Sequence, residues 1–296
     1  MRTRLIINSD AKNEADDQFA IVHALLSPSL EIVGVIPAHF GTHRTTESQA
    51  ESRQEVDLLL RLLGMEGQVE VADGAPQKIP DPATPLDSPG ARLIIREAAK
   101  PGPLSVIFLG PLTDMASALL LEPSIQDNPE LRVVWIGGGP YDGVHGGEHP
   151  YEFNLHNDVD AANAVFASRL NVSQIPWTVY TKVSVGYAEL EAKVAPFGEL
   201  GAYLYRQLVE FNQTWTDWAG IPEIEYRTLG DSPAVGVVLN DGAAAWRYHA
   251  ARVFEEPGRM TNRVVPGRSV RVADSIDARW LLEDMFAKIQ RHTRSV

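Results

Sequence analysis

Along the first two-thirds of the chain, short runs of apolar and β-branched residues alternate with longer segments of helical periodicity. The runs predict strands at Leu5–Asn8, Ile32–Pro37, Val69–Ala72, Ser105–Leu109, Arg132–Gly137 and Trp177–Tyr180. Between them, the periodicity predicts helices over Ala15–Leu26, Thr46–Leu63, Gly90–Ala99, Leu112–Leu121 and Val159–Ser168. Such alternation builds βαβ units around a parallel sheet. Leu104–Leu109 and Val133–Ile136 lack polar alternation, which predicts strands buried on both faces. From about Tyr187 to Tyr226 the pattern turns helical and aromatic. A helix start near Ser232, short strands within Arg263–Val272 and an amphipathic helix over Asp277–Ile289 follow. Residues 73–89, with five prolines, and residues 138–157, with several Gly and His, read as long loops, a kind that is often functional. The expectation is one α/β domain over residues 1–296, with a mostly parallel central sheet flanked by helices and a Rossmann-like core.

Composition narrows the chemistry. With 296 residues the chain buries a core without disulfides or a structural metal. The absence of cysteine excludes thiolate zinc sites, disulfides and a thiol nucleophile. A formal net charge of −13 argues against a nucleic-acid partner. The N-terminal apolar run is too short for a signal peptide, and nothing approaches the about 20 apolar residues of a membrane helix, so a cytoplasmic protein with no membrane partner is expected.

Asn8, Asp10, Asn13, Glu14, Asp16 and Asp17 crowd the junction between the first strand and the first helix. One reading is capping, with Asn13 as the N-cap, Asp16 reaching back as in a capping box, and Asp16 and Asp17 complementing the helix end by about 0.3–1 kcal/mol each. That leaves Asp10, at the strand end, unexplained. The other reading is a divalent cation, because clustered carboxylates raise one another's pKa and hard cations take oxygen ligands. The spacing is not that of an EF-hand: Lys12 stands third from Asp10, where an oxygen is required, and no Gly stands sixth. Asn8 replaces the nucleophile of an aspartyl-phosphate phosphatase, and no Gly-x4-Gly-Lys-Ser/Thr loop is present.

Three ordered stretches carry a resemblance. The first is Ile6-Ile7-Asn8-Ser9-Asp10 continuing to Asp16-Asp17 and an apolar helix. The second is Phe108-Leu109-Gly110-Pro111-Leu112-Thr113-Asp114-Met115-Ala116, and the third is Val134-Trp-Ile-Gly-Gly-Gly139 followed by Glu152-Phe153-Asn154 and Asp158. Together they resemble the nucleoside hydrolases of the inosine–uridine-preferring type. Those begin with a strand and Asp-x-Asp-Pro-Gly-x-Asp-Asp, and carry Gly-Pro-Leu-Thr-Asn-Ile-Ala and Glu-Phe-Asn further on. The resemblance is good from residue 4 to about residue 170.

It implies Ca2+-dependent hydrolysis of the N-glycosidic bond of a nucleoside or related N-riboside, within purine or pyrimidine salvage, by a homodimer or homotetramer. It makes Asp10 the general base and a metal ligand, and Asp17, the Leu109 carbonyl and Asp231 the other ligands. Asp16, Glu152 and Asn154 are implied to hold the sugar hydroxyls. Relative to the resembled motif, two extra residues separate Asp10 from Asp16, so Lys12-Asn13-Glu14 is expected to bulge toward the site and Asn13 or Glu14 to replace a substrate contact. Gly230 stands where many members carry a His that protonates the leaving base. The candidates to replace it are Trp215, Trp218, Tyr226, Arg227, His145 and His149, against core packing for the Trp pair and a solvated loop for the histidines. Two alternatives stay open: a nucleoside- or sugar-binding protein of this fold with little turnover, and a hydrolase of another glycoside.

Overall fold

The computed structural model describes residues 2–141 and 152–295. Its main sheet has seven strands in the order β2-β1-β3-β4-β5-β9-β8, with β1 Thr3–Ser9, β2 Leu30–Pro37, β3 Leu104–Phe108, β4 Leu131–Ile136, β5 Asn171–Ile175, β8 Ala244–Glu255 and β9 Arg259–Ile276. All neighbours are parallel except the β8–β9 hairpin. A second, two-stranded antiparallel sheet pairs β6 (Ser184–Gly186) with β7 (Tyr226–Thr228). The helices are α1 Asp17–Leu25, α2 Ser48–Leu62, α3 Pro89–Ala98, α4 Thr113–Leu121, α5 Phe153–Asn157, α6 Val159–Ala167, α7 Trp177–Tyr180, α8 Tyr187–Lys193, α9 Gly198–Ala219, α10 Ser232–Leu239 and α11 Ala278–Ser295.

Strand periodicity of two divides the core between the sheet's faces. Leu5, Ile7, Ile107, Val134 and Ile136 pack with α1, α2 and the C-terminal helices, while Ile6, Val106, Phe108, Val133 and Trp135 pack with α3, α4 and α6. Both faces are covered, which explains the unbroken apolar runs of β3 and β4. Because the chain leaves β1 for β2 on one side and β3 on the other, the strand order reverses between β1 and β3. In open α/β sheets, the crevice beyond the strand ends at such a reversal is where ligands bind. Asp10 follows β1 and Leu109 follows β3, so both flank it.

Three expectations are corrected. Val69–Ala72 contributes only an isolated bridge, Val35 to Val71, at the sheet's edge. Trp177–Tyr180 is a single helical turn after Pro176, and the strand lies earlier, at Asn171–Ile175. Its Ser173 and Gln174 are buried but satisfied, Ser173 Oγ accepting from Arg132 at 3.2 Å and Gln174 Nε2 donating to the Gly137 carbonyl at 2.9 Å. Polar residues with partners inside a sheet defeat a reading based on hydrophobicity. The long edge strand β8, whose alanines and arginines carry no strand pattern, was not expected, and β9 runs well beyond Arg263–Val272.

A buried polar clasp ties β1 to α4 and to the proline-rich loop. Asp114 Oδ1 accepts from Ala75 N at 2.9 Å and Ser88 Oγ at 2.6 Å, and its Oδ2 accepts from Asn8 Nδ2 at 2.9 Å. The motifs this chain resembles have an Asp at the position of Asn8 and an Asn at that of Asp114. Here the two are exchanged, so one carboxylate and one amide remain. Two buried carboxylates in contact would repel, and an uncompensated buried charge costs about 3–5 kcal/mol. Asn8→Asp should therefore destabilise the fold by a similar amount, and Asn8→Asp combined with Asp114→Asn should recover most of it in denaturant titrations. Equal stabilities of the single and double variants would show that the clasp does not act as a pair.

Candidate active site

The chain turns sharply after β1. Asn13 N donates to the Asp10 carbonyl at 2.8 Å, and α1 starts at Asp17 with Asp16 in the cap position. Neither Asn13 nor Asp16 caps this helix through its side chain. The side-chain part of the capping reading therefore fails, although Asp17 does stand in the first turn of α1, where its charge complements the helix end. Asp231 likewise precedes α10, with Pro233 in the first turn, yet its side chain makes no cap bond.

One pocket at the reversal of strand order collects these groups. It is lined by Asp10, Asn13, Glu14, Asp16, Asp17, Leu109, Ile136, Glu152, Phe153, Asn154, Tyr180, Gly230 and Asp231. Carboxylate oxygens of Asp16, Asp17 and Asp231 lie within 4.8 Å of one another. Asp10 faces the same pocket but is not part of that tightest trio; its carboxylate sits over Gly110, 2.7 Å from where a Cβ there would stand. Only glycine fits beneath it. Ser9 Oγ donates to Asp17 Oδ1 at 2.6 Å.

Burial is the leading cause that raises the pKa of all four aspartates, and their mutual repulsion adds to it. Asp16 is pushed up to about 6 and Asp17 to about 8. Asp10 and Asp231 are raised well above the ordinary carboxylate range. Asp17 and Asp231 lie within hydrogen-bond reach, an arrangement that requires a shared proton or a cation. Asp10 Oδ2 is buried with no hydrogen-bond partner among the described residues. An orphaned carboxylate oxygen beside three clustered carboxylates is the donor set of a hard divalent cation, so these residues fit one.

The profile of the family described as "Inosine-uridine preferring nucleoside hydrolase" matches residues 5–283. The chain belongs to that family of N-glycosyl hydrolases. Among relatives of this nucleoside hydrolase, "Probable uridine nucleosidase 2" of Arabidopsis thaliana is 27% identical over 238 residues, 70% of this chain and 69% of that protein. "Pyrimidine-specific ribonucleoside hydrolase RihB" of Escherichia coli (strain SE11) is 25% identical over 227 residues, 67% of this chain and 68% of its own. Among solved structures, the purine-preferring ribonucleoside hydrolase from Gardnerella vaginalis superposes with a TM-score of 0.78 at 20% identity, covering 99% of this chain and 100% of that one. The α/β fold read from the sequence is thus the fold of the nucleoside hydrolases.

The inserted turn behaves partly as expected. Asn13 and Glu14 reach the pocket. Lys12 does not: it turns away to pair with buried Glu55 at 2.9 Å. Arg44 donates to the carbonyls of Lys12 and Asn13, both at 2.9 Å, and Glu14 forms an ion pair with Arg227.

Glu152 and Asn154 are in the pocket but are already engaged. Glu152 caps α5, accepting from Asn154 N at 3.2 Å, Leu155 N at 3.0 Å, Gly138 N at 2.8 Å and Tyr180 Oη at 3.0 Å. Asn154 Nδ2 donates to the carbonyls of Leu109 at 2.8 Å and Ile136 at 3.0 Å, which leaves Oδ1 as its acceptor.

Trp215, Trp218 and Tyr226 do not line the pocket. Beyond Thr216 every residue of α9 is exposed, and Trp218 is 84% exposed. The Trp pair does not pack a core either. His145 and His149 lie outside the described residues. Tyr180 was missed: it sits in an aromatic, β-branched run that reads as a strand, and nothing in that run marks it as a pocket residue.

A raised carboxylate pKa means that the folded protein holds protons which the unfolded chain releases. Without a cation, stability should therefore fall as pH rises from about 4 through about 8, the window set by the ordinary and raised values of Asp16 and Asp17. Adding CaCl2 should raise Tm by about 5 °C or more at saturation, and more at pH 8 than at pH 5, because the ligands must be deprotonated. Thermal melts with and without EDTA across that range test this, and Asp17→Asn should flatten both dependences. A Tm indifferent to cation and pH would remove the electrostatic account of the site.

Proposed function

We propose that this chain hydrolyses the N-glycosidic bond of a ribonucleoside or related N-riboside in a Ca2+-dependent reaction, releasing base and ribose. The observation that carries the reading is the meeting of Asp10, Asp16, Asp17 and Asp231 in one buried pocket at the point where the strand order reverses. Asp10, Asp17, Asp231 and the Leu109 carbonyl would hold the ion, and that carbonyl keeps a lone pair free beside its bond from Asn154. When bound, Ca2+ supplies electrophilic activation of water and a grip on neighbouring sugar hydroxyls.

The residues divide the remaining work. Asp10, whose Oδ2 has no donor among the described residues, takes the proton of the attacking water. Asp16 accepts from a sugar hydroxyl and is itself steadied by the backbone N–H of Gly230 and the charge of Arg227. Asn154 Oδ1 accepts a second hydroxyl. Together these groups orient the sugar so that water meets the anomeric carbon as an oxocarbenium-like transition state develops. The names of the Arabidopsis and Escherichia coli relatives specify uridine and pyrimidine ribonucleosides, which supports pyrimidine nucleosides as the first substrates to try. The cytoplasmic homodimer or homotetramer implied by the resemblance belongs to the same proposal.

Reducing-sugar release from a panel of purine and pyrimidine nucleosides should be abolished by EDTA and restored by Ca2+. Asp10→Asn should lower kcat by about 10²–10⁴-fold, the usual share of a general base. Release that survives EDTA or is unchanged in Asp10→Asn would overturn the mechanism. Calorimetric binding of ribose with no turnover of any nucleoside would favour the binding-protein alternative.

A further inference from the structure

Tyr180 and Gly230 adjoin one another in the wall of the pocket, and neither the Tyr180 side chain nor the absence of one at position 230 has a role in the reaction derived above. The Tyr180 ring lies where a side chain at position 230 would go: a Cβ on Gly230 would stand 3.0 Å from Tyr180 Cδ2 and 3.3 Å from Asp16 Oδ2. The absence of a side chain before Asp231 is therefore what admits the phenol to the pocket wall. The Tyr180 backbone is fixed where the residue ends the helical turn after Pro176 and donates its N–H to the Pro176 carbonyl at 3.1 Å, and its side chain packs against the core.

The polarity of that phenol follows from Glu152. A carboxylate offers about four lone-pair positions. On Glu152, Oε2 is met by Gly138 N and Leu155 N, and Oε1 by Asn154 N and Tyr180 Oη. Three of the four partners are backbone N–H groups, which can only donate, so the ionised carboxylate is the form that satisfies every contact. Burial raises the Glu152 pKa, and these four donors oppose it. Tyr180 itself stays neutral, since burial and the neighbouring carboxylates push its pKa up. A phenol has one proton, and this one is committed to Glu152. What Tyr180 can present to the pocket is thus lone pairs alone.

We propose that Tyr180 is a substrate-specificity residue, a fixed hydrogen-bond acceptor for one hydroxyl of the sugar, made possible by glycine at position 230 and pinned in polarity by Glu152. Such a wall takes a hydroxyl donor. It rejects a phosphate or a methyl ether at the same place, because neither can donate and the Glu152 carboxylate lies directly behind. The residue is not an acid for the leaving base, its only proton being held by a carboxylate. This assignment rests on the N-riboside reading given above.

The test is Tyr180→Phe, which keeps the ring against Gly230 and removes only the oxygen. In the Ca2+-loaded enzyme, kcat/KM should be measured for a ribonucleoside that the wild type turns over and for its 2′-, 3′- and 5′-deoxy analogues. The variant should lose about tenfold on the parent nucleoside, the size of one neutral hydrogen bond. For one deoxy analogue, and that one only, wild type and variant should be equal, since the hydroxyl that faced Tyr180 is gone. An equal loss on all four substrates, or no loss on any, would overturn the assignment. Calorimetry of ribose and its 2-, 3- and 5-deoxy forms gives the same pattern in binding constants without needing turnover. If no nucleoside is hydrolysed, the activity reading fails, while an analogue-selective binding loss in Tyr180→Phe still supports the acceptor role and a uniform one still overturns it.

Discussion

Charge confined without compensation is the constraint on which this molecule turns. Four aspartates, from the end of β1, the start of α1 and the start of α10, are buried together, and the carboxylates of three lie within 4.8 Å of one another. Removing one carboxylate from water carries an effective penalty of several kcal/mol even after relaxation. No lysine or arginine lines the pocket among the described residues; Arg227 comes nearest and is paired with Glu14 at its edge. The protein holds this arrangement at a cost in stability, and a divalent cation is the partner that would offset it.

The surrounding structure is built to resist the relaxation that such repulsion would otherwise drive. The turn between Asp10 and Asp16 is pinned from several sides: Lys12 to Glu55, Arg44 to two carbonyls, Gln18 Nε2 to the Ala11 carbonyl at 2.7 Å, and Gln207 Nε2 to the Ala15 carbonyl at 2.9 Å. Glu55 is a hub, accepting also from Gln18 at 3.1 Å and from the Tyr203 hydroxyl. Two more residues here than in the resembled motif would ordinarily loosen a loop. These anchors make it a rigid wall, and rigidity is what lets a site keep like charges close enough to act on one ligand.

Departures from the family pattern become intelligible in pairs. Asn8 alone reads as the loss of a carboxylate; beside Asp114 it is half of an exchange that preserves one hydrogen bond and one charge. Gly230 alone reads as a missing acid; beside Tyr180 it is the gap that lets an aromatic ring pack close to the backbone. In each case the partner lies far away in the chain. Single positions are poor units for judging whether a divergent nucleoside hydrolase has kept its chemistry.

The parallel core, its two-sided burial and the acidic turn were legible because each depends on local pattern: apolar runs for β1, β3 and β4, helical period for α2 and α3, and a density of carboxylates that no helix start requires. Asp231 was legible only through the family likeness, since Asp before Ser-Pro looks the same whether it caps a helix or faces a pocket. Tertiary structure alone decided that Asp16 joins Asp17 and Asp231, that Lys12 leaves the site, and that Glu152 is already saturated by its neighbours. It also withdrew Trp215, Trp218 and Tyr226 from the pocket and brought in Tyr180. The physical reason is the range over which each property acts. Hydrophobic period and turn chemistry are set by residues a few positions apart, whereas the partner of a buried polar atom is whichever group the packed elements bring within about 3 Å.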